Sequence, residues 1–110
     1  MDDRLKTIAD HYGLDSQLNI LQEELSELIQ AVSKYRRGDQ SHILEEIVDV
    51  EIMLDQINYL LGLFEIVDCR HYDCKSKTVI RERKIRRQLR RIQEEEAANY
   101  GEQGSNQGKQ

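Results

Sequence analysis

Glu23-Glu24-Leu25-Ser26-Glu27-Leu28 and Glu45-Glu46-Ile47-Val48-Asp49-Val50, joined across Arg37-Gly38-Asp39-Gln40, decide how this chain folds. Each segment holds an acidic pair at one spacing, Glu24 with Glu27 and Glu46 with Asp49, and eighteen residues separate Glu27 from Glu46. Both lie in stretches of helical periodicity. Residues three apart sit about 60° apart around a helix, so each pair points in one direction. The turn centred on Gly38 folds the two helices back antiparallel, which brings four carboxylates toward one place. Four uncompensated charges repel, so a cation is expected among them. Hard divalent ions such as Mg²⁺ (or Mn²⁺) take oxygen ligands of this kind, usually together with substrate phosphates.

Working outward, residues 5–12 predict a short helix that stops at Gly13, a favourable C-cap residue. Asp15 or Ser16 is the candidate N-cap of a second helix running to about Arg37. Leu14, Leu18, Leu21, Leu25, Leu28 and Val32 repeat there at alternating steps of four and three, a seam of the bundle type. Ser41 is the candidate cap of a third helix over residues 42–67. That helix is apolar on two sides. One stripe holds Ile43, Ile47, Val50, Leu54, Ile57 and Leu61, and another holds Met53, Leu60 and Phe64. So much apolar surface marks a central helix, and the remaining elements are too few to cover it. A second copy of the chain is therefore expected. A fourth helix over residues 73–99 has only a thin apolar line, Ile85, Leu89 and Ile92. The polar, glycine-rich segment 100–110 has nothing to bury and reads as a disordered tail.

Composition agrees. The chain has no proline, six glycines and 38% hydrophobic residues, which leaves little to interrupt helices and enough apolar material for one modest core. The fold expected is all-α, an antiparallel helical bundle over residues 1–99 completed by homo-oligomerisation. The start, Met1-Asp2-Asp3-Arg4, is charged and no apolar segment follows, so no signal peptide is read. The longest apolar run, residues 59–64, is too short to cross a bilayer. Two cysteines, Cys69 and Cys74, make no disulfide framework, and a soluble cytoplasmic protein is the expectation.

The net charge of −5 conceals an asymmetry: residues 1–69 hold 15 acids and 5 bases, whereas residues 70–110 hold 6 acids and 11 bases. Segment 75–91 is the extreme, nine bases against Glu82 alone. Such a helix calls for an anionic neighbour, whether nucleic acid, substrate phosphate or the acidic half of the chain.

For either acidic pair alone, a solvated helix face is the ordinary reading. Context weakens it here. Ile20, Glu24, Glu27 and Ala31 share one line of the second helix, and Glu46 and Asp49 lead into Met53, Leu60 and Phe64 on the third. Carboxylates in line with a core stripe are costly to desolvate unless protonated, paired or bound to metal.

The stretch Gln22-Glu-Glu-Leu-Ser-Glu-Leu-Ile-Gln-Ala, followed by His42-Ile-Leu-Glu-Glu-Ile-Val-Asp-Val-Glu-Ile-Met-Leu, resembles the MazG-like family of all-α nucleoside triphosphate pyrophosphohydrolases. The likeness covers about residues 10–92 and rests on two E-x-x-E/D elements on consecutive antiparallel helices. It implies that Glu24, Glu27, Glu46 and Asp49 bind Mg²⁺ and carry catalysis. It further implies cleavage between the α and β phosphates of a nucleoside triphosphate, giving a monophosphate and pyrophosphate. Carboxylate-held Mg²⁺ polarises phosphate oxygens and lowers the pKa of a bound water. Glu23 or Glu45 is a candidate to accept that water's proton. Phosphates need cationic donors, and Lys34 is one. Lys84-x-x-Arg87 resembles the basic pair found downstream in phage-type members, with Arg91 a weaker candidate. Tyr12-Gly13 and Gln17 look like the family's element ahead of the motif, where the Gln17 amide suits a base edge. The arginines of segment 81–91 exceed what three phosphates require.

Cys69, His71 and Cys74 invite a zinc reading, but a structural zinc site wants four ligands and no fourth thiol or imidazole is near in sequence. Tyr35 and Tyr59 read as packing residues. No glycine-rich phosphate loop is present, which excludes a P-loop mechanism. Two competing readings lack catalysis: a basic helix that binds nucleic acid through residues 75–91, and a helical interaction module. The first would be sequence-independent, because no aromatic interleaving and no groove-reading motif accompany the bases. The partners expected are the nucleotide and a second copy, as homodimer or homotetramer.

Overall fold

The computed structural model describes residues 1–62 and 77–107, with side chains to Gly101. Three helices make up these residues and no strand occurs among them: α1 (Asp3–Arg36), α2 (Ile43–Leu60) and α3 (Lys77–Gln107). The chain divides into two compact units, Met1–Ile66 and Val67–Gln110.

In the first unit, Asp2 caps α1 by accepting a hydrogen bond from the backbone N–H of Arg4 at 2.9 Å. Gly13 interrupts α1 with φ 82° and ψ 167°, a conformation essentially closed to residues with a Cβ. The short helix and its stop at Gly13 are thus where the sequence puts them. Asp15 and Ser16 lie inside the helical span that resumes there. At the far end Gly38, at φ 103°, closes α1 in a Schellman arrangement. Its N–H donates to the Tyr35 carbonyl at 3.0 Å, and that of Asp39 to the Lys34 carbonyl at 2.9 Å.

The start of α2 differs from expectation. Ser41 does not cap it; its backbone N–H and hydroxyl both donate to the Asp39 carboxylate, and His42 stands at the N-cap position without a side-chain bond. The helix also ends earlier than residue 67. Leu61 N–H donates to the Ile57 carbonyl and Gly62 N–H to that of Tyr59, each at 2.9 Å, with Gly62 at φ 70°. A left-handed glycine reverses the chain there even though apolar residues continue in sequence. Phe64 and the Cys69, His71 and Cys74 group lie outside the described residues.

α1 and α2 pack against each other as an antiparallel hairpin. The Tyr59 hydroxyl, near the end of α2, donates to both carboxylate oxygens of Asp10, near the start of α1, at 2.9 Å. The core between them is small: Ala9 and Ala31 from α1, Val50, Met53 and Ile57 from α2, and the amides of Gln17 and Gln56. Of the leucine seam foreseen on α1, Leu14, Leu21 and Leu28 are half-buried, whereas Leu18, Leu25 and Val32 are exposed. On α2, Val50 and Ile57 are buried while Ile47, Leu54 and Leu61 are exposed. At 100° per residue these two exposed lines, each stepping by seven, fall on the same side of an antiparallel pair. The hairpin therefore presents a continuous apolar face.

In the second unit α3 runs 31 residues, to Gln107, beyond the end near residue 99 that the sequence suggests. No proline interrupts it, and each residue added to an existing helix contributes a bond to a ladder already nucleated. Every residue from 81 to 101 is exposed, Ile85, Leu89 and Ile92 included.

Candidate active site

Glu24 on α1 and Glu46 and Asp49 on α2 converge. Each offers a carboxylate oxygen, and the three oxygens lie within 4.8 Å of one another. Glu24 and Glu46 are half-buried, and one oxygen of each, Oε2, is shielded from solvent with no hydrogen-bond partner. Burial pushes the Glu24 carboxyl above the usual range, reinforced by the charges of Asp49, Glu27 and Glu46. Burial likewise raises Glu46, with the charges of Glu27 and Asp49 adding to it. Glu27 itself is exposed at the margin of this group, where it also borders a shallow polar groove along α1 with Asn19, Glu23 and Ser26.

The hairpin explains the convergence. Gly38 reverses the chain, the three-residue spacing keeps each pair on one side of its helix, with Glu24 and Glu46 half-buried and Glu27 and Asp49 exposed, and α1 and α2 hold their registers through Ala31, Val50 and Met53. The donor set suits a hard divalent cation. Octahedral Mg²⁺ places its oxygens at about 2.1 Å, hence opposite ligands about 4.2 Å apart, so a separation of 4.8 Å closes with small side-chain rotations. Two carboxylate oxygens withdrawn from water without a donor are what a cation would satisfy.

The other sequence-derived residues stand as follows. Gln17 is 1% exposed, and its Oε1 has no donor. Lys34 is exposed, seven residues beyond Glu27 and therefore about 10 Å further along the same side of α1. Glu23 and Glu45 are exposed beside the carboxylate group. Lys84, Arg87 and Arg91 are exposed on α3, in the second unit.

Gln56 is a feature the sequence reading missed. It is 2% exposed and its Oε1 also lacks a donor. Gln17 lies seven residues before Glu24 and Gln56 seven after Asp49. In antiparallel helices both steps run two turns in the same direction, so the two amides form one buried polar layer beyond the carboxylates. The available signal was an amide three residues after Met53 on the same apolar stripe. Compared with protein-family models, with curated proteins and with solved structures, the chain matches none.

Proposed function

We propose that the chain is a Mg²⁺- or Mn²⁺-dependent nucleoside triphosphate pyrophosphohydrolase, releasing a nucleoside monophosphate and pyrophosphate in cytoplasmic nucleotide-pool housecleaning. The observation that supports this most is the convergence of Glu24, Glu46 and Asp49 within 4.8 Å, with two shielded and unpartnered carboxylate oxygens. They occur in the E-x-x-E and E-x-x-D context by which the sequence resembles the MazG-like family.

Glu24, Glu46 and Asp49 would hold the ion, with Glu27 at the margin as a fourth ligand. A divalent cation bound there supplies Lewis acidity toward phosphate oxygens and a water of lowered pKa. Glu23 or Glu45 accepts a proton from the attacking water; both are exposed and adjacent in sequence to cage residues, so either can pass the proton to solvent. Lys34 offsets phosphate charge from the side of α1 that carries Glu27. Lys84 and Arg87 are assigned the same task by the resemblance. The Gln17 amide, buried and with an unused acceptor, is assigned to a base edge; a site built to pair a donor discriminates strongly against analogues lacking it.

The working assembly is a homodimer or homotetramer. Supporting this, Leu18, Leu25 and Val32 of α1 and Ile47, Leu54 and Leu61 of α2 remain between 37% and 50% exposed on one side of the hairpin. A contiguous apolar face of this kind on a chain of this size marks an association surface. Among the described residues no helix is long and apolar enough to cross a membrane.

A panel of ribo- and deoxyribonucleoside triphosphates, assayed for monophosphate and pyrophosphate with and without Mg²⁺, tests the reading. Turnover is expected only with the metal and is expected to vanish in Glu24→Gln and Asp49→Asn proteins that remain helical by circular dichroism. Metal-independent turnover by those variants would overturn it.

A further inference from the structure

The basic half of α3 has more cations than phosphate binding at one nucleotide requires. From Lys77 to Arg91 it holds eight bases and one acid, Glu82. That acid is taken by Arg86, whose Nε donates to it at 2.9 Å. Among the described residues Arg81, Arg83, Lys84, Arg87, Arg90 and Arg91 have no carboxylate partner. Arg83/Arg87, Arg86/Arg90 and Arg87/Arg91 are like charges four apart, a spacing that opposes the helix unless an anion lies alongside.

The distribution is as informative as the number. At 100° per residue, Ile85, Leu89 and Ile92 occupy one narrow line, and the bases spread over the wide remaining arc from Arg86 round to Arg81. A bilayer surface would ask for a broad apolar face with aromatic residues, and this line has neither. Six of the eight bases are arginines, whose planar forks fit phosphate oxygens in pairs. From Arg81 to Arg91 the helix rises about 15 Å, alongside which a DNA duplex presents roughly nine phosphates. The major groove of B-form DNA admits a helix of this diameter, whereas that of A-form RNA is too narrow for side chains.

We propose that the basic half of α3 is a binding surface for double-stranded DNA, engaged through the phosphate backbone without sequence preference. This is a binding function separate from the carboxylate cage.

The test uses the full chain and two fluorescently labelled 20-base-pair duplexes of unrelated sequence, followed by anisotropy from 50 to 200 mM KCl. Both duplexes are expected to bind equally. At least three phosphate contacts give a log–log salt slope of about −2.7 or steeper, hence about 40-fold weaker binding across that range. The triple substitution Arg81→Gln, Arg83→Gln, Arg90→Gln lies on exposed positions, and its helicity is checked by circular dichroism. It is expected to flatten the slope by about 2.7 while leaving pyrophosphate release intact. No binding at 50 mM KCl, salt-insensitive binding, or equal binding by the variant overturns the proposal. So does capture by anionic phosphatidylserine vesicles with no duplex binding. Sedimentation in which the variant only splits an α3-mediated dimer, again with no duplex binding, also overturns it.

Discussion

Gln56→Leu is expected to make the metal-free protein more stable. Gln56 is 2% exposed, and its Oε1 is shielded without a donor. A buried acceptor left unsatisfied costs about 1–3 kcal/mol, and leucine fills nearly the same volume without that cost. The neighbours are compatible: Met53 and Ile57, on either side of Gln56 in the same helix, are both buried and apolar. The low end of the range raises Tm by about 4 °C for a unit of this size. Thermal melts followed at 222 nm in EDTA measure it. Gln17→Leu provides the contrast, since that amide lies in the same layer, 1% exposed and equally lacking a donor. The same gain in Tm is expected, now with a rise in KM for nucleotide because the assigned base contact is lost. A fall in Tm for Gln56→Leu would refute the reasoning, as it would mean the oxygen has a partner. An unchanged KM for Gln17→Leu would remove Gln17 from the nucleotide site.

Further outcomes follow from the same geometry. Glu24 and Glu46 have carboxyls raised above their unfolded values, so the stability they contribute is fully present below the unfolded range and is lost as pH rises through the raised folded values. In EDTA, Tm should therefore climb as pH falls toward 4.5, the ordinary glutamate value from which both are raised, and Mg²⁺ should flatten that climb; a Tm that drops on that approach in EDTA contradicts the cage. Gly13→Ala should cost about 1–3 kcal/mol through backbone strain alone, because φ is 82° and an added Cβ meets nothing within 4 Å; urea unfolding reads it, and a neutral result would mean the kink relaxes freely. Leu25→Glu, on the exposed apolar face, should convert the assembly to monomers in sedimentation velocity while the chain stays helical. Persistence of the oligomer would place the interface elsewhere.

Much of the hairpin is legible in the sequence because its determinants are local. Gly13 and Gly38 sit where a left-handed residue is needed, and the acidic positions bring Glu24, Glu46 and Asp49 together once the chain turns. Gly62 was missed because the apolar run over residues 59–64 continues the helical pattern through it. The seam on α1 misled for a different reason. Periodicity reports every apolar face of a helix, while the α1–α2 contact buries Ala9, Gln17 and Ala31 and half-buries Leu14, Leu21, Glu24 and Leu28. Leu18, Leu25 and Val32 belong to the face left over. Gln56 escaped notice because one amide in an apolar stripe looks like a boundary rather than a buried layer. The Ser41 cap failed to a local competitor, the Asp39 carboxylate two residues away.

Direct titration of Mn²⁺ into the protein, with free ion read by electron paramagnetic resonance in the presence of a non-hydrolysable nucleoside triphosphate, tests the cage itself. Saturable binding is predicted for the wild-type chain and its loss in both Glu24→Gln and Asp49→Asn, with helicity unchanged. Undiminished Mn²⁺ binding by the two variants would contradict the assignment of these carboxylates to a metal and, with it, the enzymatic account.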